Sequence, residues 1–371
     1  MPTARTLYRK ELARCREQFE RVNLQKERGY LMKFTTFSAN MENIMPLIPR
    51  SRHEGLFREL LLQQVFTTFD QQCLSAGDLV KLSGAHGVIT QNEGAKIYCT
   101  YHLGSYRQLT SVLFRKGVDC VLLVGSNMNR EQGGSLTEHI EALRQKHGLT
   151  NVFRVVDTGS PSAGLTVLRE LKAGRSLIVY VDGSPETAPE PGEETQFLSV
   201  RFGHRQILTR KGVGYLSHAA GVPIVPVVSY RQPDFTNVLH FMSPIRPIRQ
   251  SDRDMYCQEA MQQLYDAFWL YLNRYPGQWE GWSYIHSFLE PEKPRHSMFE
   301  RRPTRPVFNQ DRYSLCDLEQ APILFDRRLY QTYEITEDLR DLLLDLGSVD
   351  SVEGVVGKEM FGELVEMEVL C

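Results

Sequence analysis

The stretch Lys96–Arg107, KIYCTYHLGSYR, is where the fold of this chain is read. Ile97, Tyr98, Cys99, Thr100 and Tyr101 are β-branched, aromatic or small, which predicts a short buried strand. The strand runs into His102 and then Leu103-Gly104-Ser105, after which Leu109, Val112 and Leu113 repeat at helical spacing. A side chain leaving the carboxyl end of a strand stands at the rim of an open α/β sheet, where ligands bind. Histidine there can take or give a proton near neutrality. The competing reading is a buried structural histidine that closes a strand end.

Outward from this stretch the pattern alternates. Strands are expected at 119–125 (DCVLLVG), 151–156 and 176–181 (SLIVYV), with helices at 104–116, 135–147 and 162–173 between them. Continuous apolar strands separated by helices mean βαβ units and a mostly parallel sheet. The strand at 176–181 delivers Asp182 to its carboxyl end as the first delivers His102. A Pro- and acid-rich loop follows, then a hairpin around RFGHR, a helix at 211–220, the strand VPIVPVVSY and a further strand at 238–242. Pro223 and Pro226 place VPIVPVVSY at an edge or a bulge. Upstream, residues 4–30 read as a helix, 31–50 as loop, 53–69 as a helix, and 76–84 as another. Downstream, a long helix covers 252–274, a Pro/Arg-rich linker begins near 291, and two helices occupy 336–347 and 357–369. The expected organisation is an N-terminal helical segment (1–50), an α/β domain (51–290) and a C-terminal extension (291–371).

Composition bounds what the molecule does. A net charge of −2 over 371 residues gives no case for nucleic-acid binding. Charge is uneven: Met1–Lys33 holds nine Lys or Arg against four acids, and Tyr333–Cys371 eleven acids against two basic residues. Both read most simply as solvated helical faces, although a basic N-terminal helix also suits peripheral contact with a membrane. Seven cysteines without a CxxC pair suit free thiols in a reducing compartment, and with no signal-like apolar core the expected location is cytoplasmic. No His, Cys or acid set has metal-ligand spacing and no glycine-rich nucleotide motif occurs, so no metal and no cofactor are expected.

Taken together and in order, YHLGSYR, VLLVGSNMNR, LKAGR before SLIVYVD, the turn SVRFG and VPIVPVV resemble the lysophospholipid acyltransferase superfamily, and within it the lipid A biosynthesis (lauroyl/myristoyl) acyltransferases. The likeness covers about residues 50–285 and implies a mixed, mostly parallel sheet flanked by helices. It also implies transfer of an acyl group from an acyl carrier protein or coenzyme A thioester. In that family a histidine removes the acceptor proton and an acid five residues later orients it; His102 holds the first place. Arg107 holds the second, a departure that puts the mechanism in question. Three readings follow: Asp182 or Glu186 replaces the missing acid; His102 acts without an orienter, on an acceptor such as an amine; or catalysis is lost and binding kept. Arg107 itself could pair with a phosphate or carboxylate of a substrate. The resemblance further implies substrate contacts at Gly104, Arg130, Arg201 and Gly203, while Trp279, Trp282, Tyr284 and Phe288 match the aromatic segment that closes the domain and read as core.

The expectation is therefore an acyltransferase with His102, Arg107 and Asp182 in the catalytic site, and the apolar strand ends lining an acyl tunnel. Its thioester is a substrate, and its acceptor is a small molecule, a peptidyl group or a lipid. The lack of a spanning helix and of the acid partner favours a specialised enzyme of a natural-product pathway. The rivals are a non-catalytic acyl- or carrier-binding protein and a membrane-peripheral lipid acyltransferase.

Overall fold

The computed structural model describes residues 4–23, 28–89, 94–248, 252–290, 306–318 and 321–371. The chain divides into two compact units, Met1–Val22 with Glu54–Glu290, and Asn23–His53 with Pro291–Cys371.

The first unit is an α/β domain built on one seven-stranded sheet. Its strands are β1 (Lys81–Gly84), β2 (Ile97–Thr100), β3 (Cys120–Val124), β4 (Phe153–Asp157), β5 (Ser176–Tyr180), β8 (Ile224–Arg231) and β9 (Asn237–Phe241), in the spatial order β1-β9-β8-β2-β5-β3-β4. Every neighbouring pair is parallel except β8 and β9. β2 lies between β5 and β8, and its four residues are completely buried. Helix α4 (Gln108–Arg115) packs Leu109, Val112 and Leu113 on Tyr98, Ile178 and Val225. Each such side chain removed from water contributes about 1.5–3 kcal/mol. A second row consists of α6 (Ala163–Lys172), α7 (Gly212–Ala220) and α8 (Arg253–Arg274), with α6 on β4 and β5 and α8 on β8. The separate hairpin of β6 (Phe197–Phe202) and β7 (Arg205–Arg210) lies against α8.

VPIVPVVSY is not at an edge. The ladder with β2 ends at Cys99↔Pro226 and the ladder with β9 begins at Val227↔Phe241, so Pro226 sits at the handover. There it is asked only for its carbonyl, which accepts the Met242 N–H at 3.0 Å. The 76–84 region is also different from the sequence expectation: a short 3-10 turn (Ala76–Leu79) precedes β1, which pairs with β9. The SNMNREQGGS segment is helical, since α5 runs from Ser126 to His147. Two glycines weaken the helical signal there by about 1 kcal/mol each. The helix is secured instead by Ile140 and Leu143 packing on Phe114 and by a Glu186 carboxylate that accepts the Asn127 N–H.

Helix α1 (Ala4–Glu20) buries Tyr8 and Leu12 among Leu62 and Phe66 of α3 (His53–Gln72) and Ala76 beyond it, and leaves Leu7 exposed. Its apolar side is thus occupied within its own unit. Among the described residues no helix is long and apolar enough to cross a membrane.

The second unit holds α2 (Arg28–Ile44), an antiparallel sheet of β10 (Tyr313–Leu318), β11 (Ala321–Asp326) and β12 (Gln331–Glu334), and helices α9 (Glu337–Leu344), α10 (Val352–Val356) and α11 (Lys358–Glu366). Residues 31–44, read as loop, are thus helical; α2 stops just before Pro46 and buries Phe37, Ala39, Met41 and Ile44. Tertiary packing against β10 overrides the mediocre local propensity of its aromatic and β-branched residues. Tyr313, Leu324, Leu343, Phe361, Leu364 and Leu370 form this unit's core, while Glu337, Asp338, Asp341, Glu359 and Glu363 face solvent. The Pro/Arg run expected to act as a linker, 291–305, lies outside the described residues.

Candidate active site

β2 and β5 are parallel neighbours in register, with Thr100 opposite Tyr180, so the two chains leave the sheet side by side. Two residues later they carry His102 and Asp182. The carboxylate receives three hydrogen bonds: His102 Nδ1 to Oδ1 at 2.9 Å, His102 N–H to Oδ2 at 2.9 Å, and the indole Nε1 of Trp279 to Oδ2 at 2.7 Å. The Asp182 side chain is 0% exposed and that of His102 14%. A buried charge is tolerated only when paired and hydrogen-bonded, and this one is both.

The carboxylate fixes the tautomer. Asp182 accepts, so Nδ1 carries the hydrogen. The Tyr284 hydroxyl, 3.2 Å from Nδ1, gives its own proton to the Gly183 carbonyl at 3.0 Å and presents its oxygen to the same N–H. Nε2 is then the lone-pair nitrogen, and no hydrogen bond engages it among the described residues. The ring lies against Tyr180 in a stacked arrangement (centroids 4.7 Å, 23°) and meets Tyr106 edge-on (4.9 Å, 75°), which holds its plane. Burial alone would push the imidazole pKa down, but the Asp182 charge, its hydrogen bond and Glu280 outweigh this and hold it above the ordinary histidine value; Arg107 opposes weakly.

Arg107 is the last residue before α4. Its Nη1 donates to the Gln71 Oε1, its Nε to the Tyr106 hydroxyl at 3.3 Å, and its guanidinium lies 5.6 Å from the Tyr106 ring centre. Glu186 is the carboxylate that the site does not use, being committed to the start of α5. Gly104 has φ +56°, and a Cβ there would come within 2.8 Å of the Tyr230 Cα. The glycine allows the His102 loop to lie flat on β8. Arg130 is exposed on α5 and bonded to Asn127. Arg201 is exposed on β6, its backbone clasped by the Gln262 side chain. Gly203 has φ +61° in the two-residue turn of the β6–β7 hairpin, a position that turn requires. The structure therefore brings His102, Asp182, Arg107 and Gly104 together. It records no contact from Arg130, Arg201 or Gly203 to that group.

Two contributors were not legible as such in the sequence. Trp279 reads as core and is fully buried, yet its indole N–H is a ligand of Asp182. Glu280, beside it, donates its backbone N–H to the His102 carbonyl at 2.9 Å and accepts the Tyr106 hydroxyl at 3.1 Å. Burial holds its carboxyl above the usual range, against the pull of His102 and Arg107. The only signal was the aromatic density of QWEGWSY, which marks burial and not polarity. Trp279→Phe keeps most of the packing and removes one donor from a buried carboxylate, so a loss of about 1–3 kcal/mol of stability is expected, read by denaturant unfolding. An unchanged unfolding midpoint would mean that this N–H does not matter to Asp182.

Behind the loop is a second buried charge pair. Arg231 at the end of β8 donates to Asp70 at 2.6 Å and to the Ser105 hydroxyl at 2.5 Å, and each side chain of the ion pair is 1% exposed. Tyr8, Ser105 and Asn237 also donate to Asp70, and Gln63 accepts from Arg231. α1, α3, β8, β9 and the His102 loop are thereby tied at one point.

Among the described residues no group of three or more His, Cys, Asp or Glu is placed to hold a metal ion. No protein-family model matches the chain, and no curated protein matches it. Among solved structures the chain is similar to the 1-acyl-sn-glycerophosphate (LPA) acyltransferase PlsC from Thermotoga maritima. The two share 15% identity, with 66% of this chain and 98% of that chain covered, at a TM-score of 0.33.

Proposed function

We propose that this chain is an acyltransferase in which His102 is the general base and Asp182 its orienter. The observation that carries the reading is the His102–Asp182 pair at the carboxyl ends of adjacent parallel strands, with Nε2 left for a substrate. As an acceptor hydroxyl or amine attacks the carbonyl of a thioester, Nε2 takes its proton, and Asp182 stabilises the imidazolium that forms. The imidazolium then passes that proton to the departing thiolate. Because the orienting carboxylate comes from β5, an acid at position 107 is not needed for this role, and Arg107 is compatible with catalysis. The ordered motifs around His102 and Asp182, which resemble those of the lysophospholipid acyltransferases, point to the same chemistry. They make an acyl carrier protein or coenzyme A thioester the proposed donor, and a specialised biosynthetic acylation the proposed setting.

The test is a transfer assay on the full chain with acyl-coenzyme A and acyl-carrier-protein thioesters and a panel of alcohols and amines. Release of free thiol in step with the appearance of the acyl mass on an acceptor is the expected result. Thioesters that bind but stay intact, with every acceptor, would make the protein a binder and overturn the reading.

A further inference from the structure

For a hydroxyl acceptor one base suffices, since the hydroxyl loses a single proton. This site holds a second carboxylate that no step above employs. Glu280 is half-buried, is tied to the His102 carbonyl through its own backbone N–H, and is held by the hydroxyl of Tyr106, whose ring touches the imidazole. Its charge is felt by His102, Tyr106, Tyr180 and Tyr284, the groups that line the histidine. Asp182 serves Nδ1 and is sealed from solvent, whereas His102, Glu280 and Arg107 all keep some exposure.

We infer that Glu280 receives the ammonium group of an amine acceptor and takes its first proton, making the reaction of this site amide formation. The inference rests on the acyl-transfer reading and names its acceptor class. An alkylamine reaches the site as R–NH3+ and is no nucleophile until one proton leaves. Glu280 accepts that proton as the carboxylate becomes the carboxylic acid. The nitrogen lone pair then forms the C–N bond, and the thioester carbonyl becomes a tetrahedral oxyanion. His102 Nε2 takes the second proton from nitrogen. Collapse breaks the C–S bond, and the imidazolium protonates the leaving thiolate. Amide and thiol leave, Glu280 returns its proton to solvent, and atoms and charge balance without any further reactant. Burial holds the Glu280 carboxyl above its ordinary value, while His102 and Arg107 favour its ionised form.

The test uses the full chain, one acyl thioester and three acceptors on a common skeleton: a primary alkylamine, the matching alcohol, and an O-alkyl hydroxylamine, whose amine is already uncharged at neutral pH. Amide from the alkylamine is expected to exceed ester by tenfold or more. Glu280→Gln is expected to lower alkylamine transfer by about 10²-fold at neutral pH. The loss recovers as pH rises toward the pKa of the amine, and hydroxylamine transfer is expected to fall much less. A structural role alone would depress all acceptors together and show no recovery with pH, which would overturn the inference. It is also overturned if His102-dependent ester formation or thioester hydrolysis proceeds while no amide forms; acyl transfer then stands. If no thioester cleavage depends on His102 with any acceptor, the proposed function itself fails.

Discussion

His102→Ala is expected to lower acyl transfer by at least 10³-fold while the chain stays folded. The step it removes is proton abstraction from the acceptor, and positioned general bases contribute roughly 10²–10⁴-fold. The orienting carboxylate loses its partner at the same time. Asp182 keeps two of its three donors, the backbone N–H of residue 102 and the Trp279 indole, so the buried charge remains satisfied in the variant and the fold is not the casualty. The measurement is thiol release together with the acyl mass on the acceptor, alongside an unfolding curve. Wild-type rates in a folded His102→Ala chain would remove the imidazole from the mechanism.

The largest stability effect is expected at Asp70, in the buried network behind the His102 loop. Asp70→Ala leaves the Arg231 guanidinium buried without its carboxylate and strips Tyr8, Ser105 and Asn237 of an acceptor. Removing one member of a buried ion pair costs about 3–5 kcal/mol, because the other charge is left uncompensated in a poorly polarisable interior. For a unit of this size the thermal midpoint should fall by on the order of 10 °C. The double variant Asp70→Ala with Arg231→Met is expected to recover part of the loss, since it removes the stranded charge. Burial of the pair also explains its place behind the His102 loop: Ser105 is bound to both partners, so the network fixes the backbone from which His102 projects. A shift below about 1 kcal/mol in the single variant would show that the network contributes little.

Much of the α/β domain was legible because its strands are continuous apolar runs ended by Gly or by a chemistry-bearing residue. Ile97–Thr100 and Ser176–Tyr180 are examples, and both delivered their terminal residues where the alternation implied. Two prolines place VPIVPVVSY at an edge or a bulge by sequence; the strand is interior, and the handover between partners at Pro226 is a tertiary fact with no local signature. α2 and the sheet of β10, β11 and β12 escaped notice for a related reason. Their apolar residues pack on segments far away in the chain. At the site, the pairing of His102 with Asp182 was one of three open readings. It depended on β2 and β5 being adjacent, whereas in sequence β3 and β4 lie between them. Trp279 and Glu280 approach from a segment nearly a hundred residues further on, so neither spacing nor motif could announce them.

The central claim is that His102 is a base whose affinity for its proton is set by Asp182, and pH dependence of acyl transfer tests it most directly. A general base works when neutral. With its folded pKa held above the ordinary value of about 6.5, transfer should fall as the pH drops through that raised value and level off above it. Asp182→Asn removes the charge that raises it and leaves burial, which lowers it. The acid limb should therefore move down, with Glu280 still opposing, while the plateau rate falls by about 10²-fold or more as the tautomer is lost. An acid limb in the same place for wild type and Asp182→Asn, with an unchanged plateau, would contradict the account.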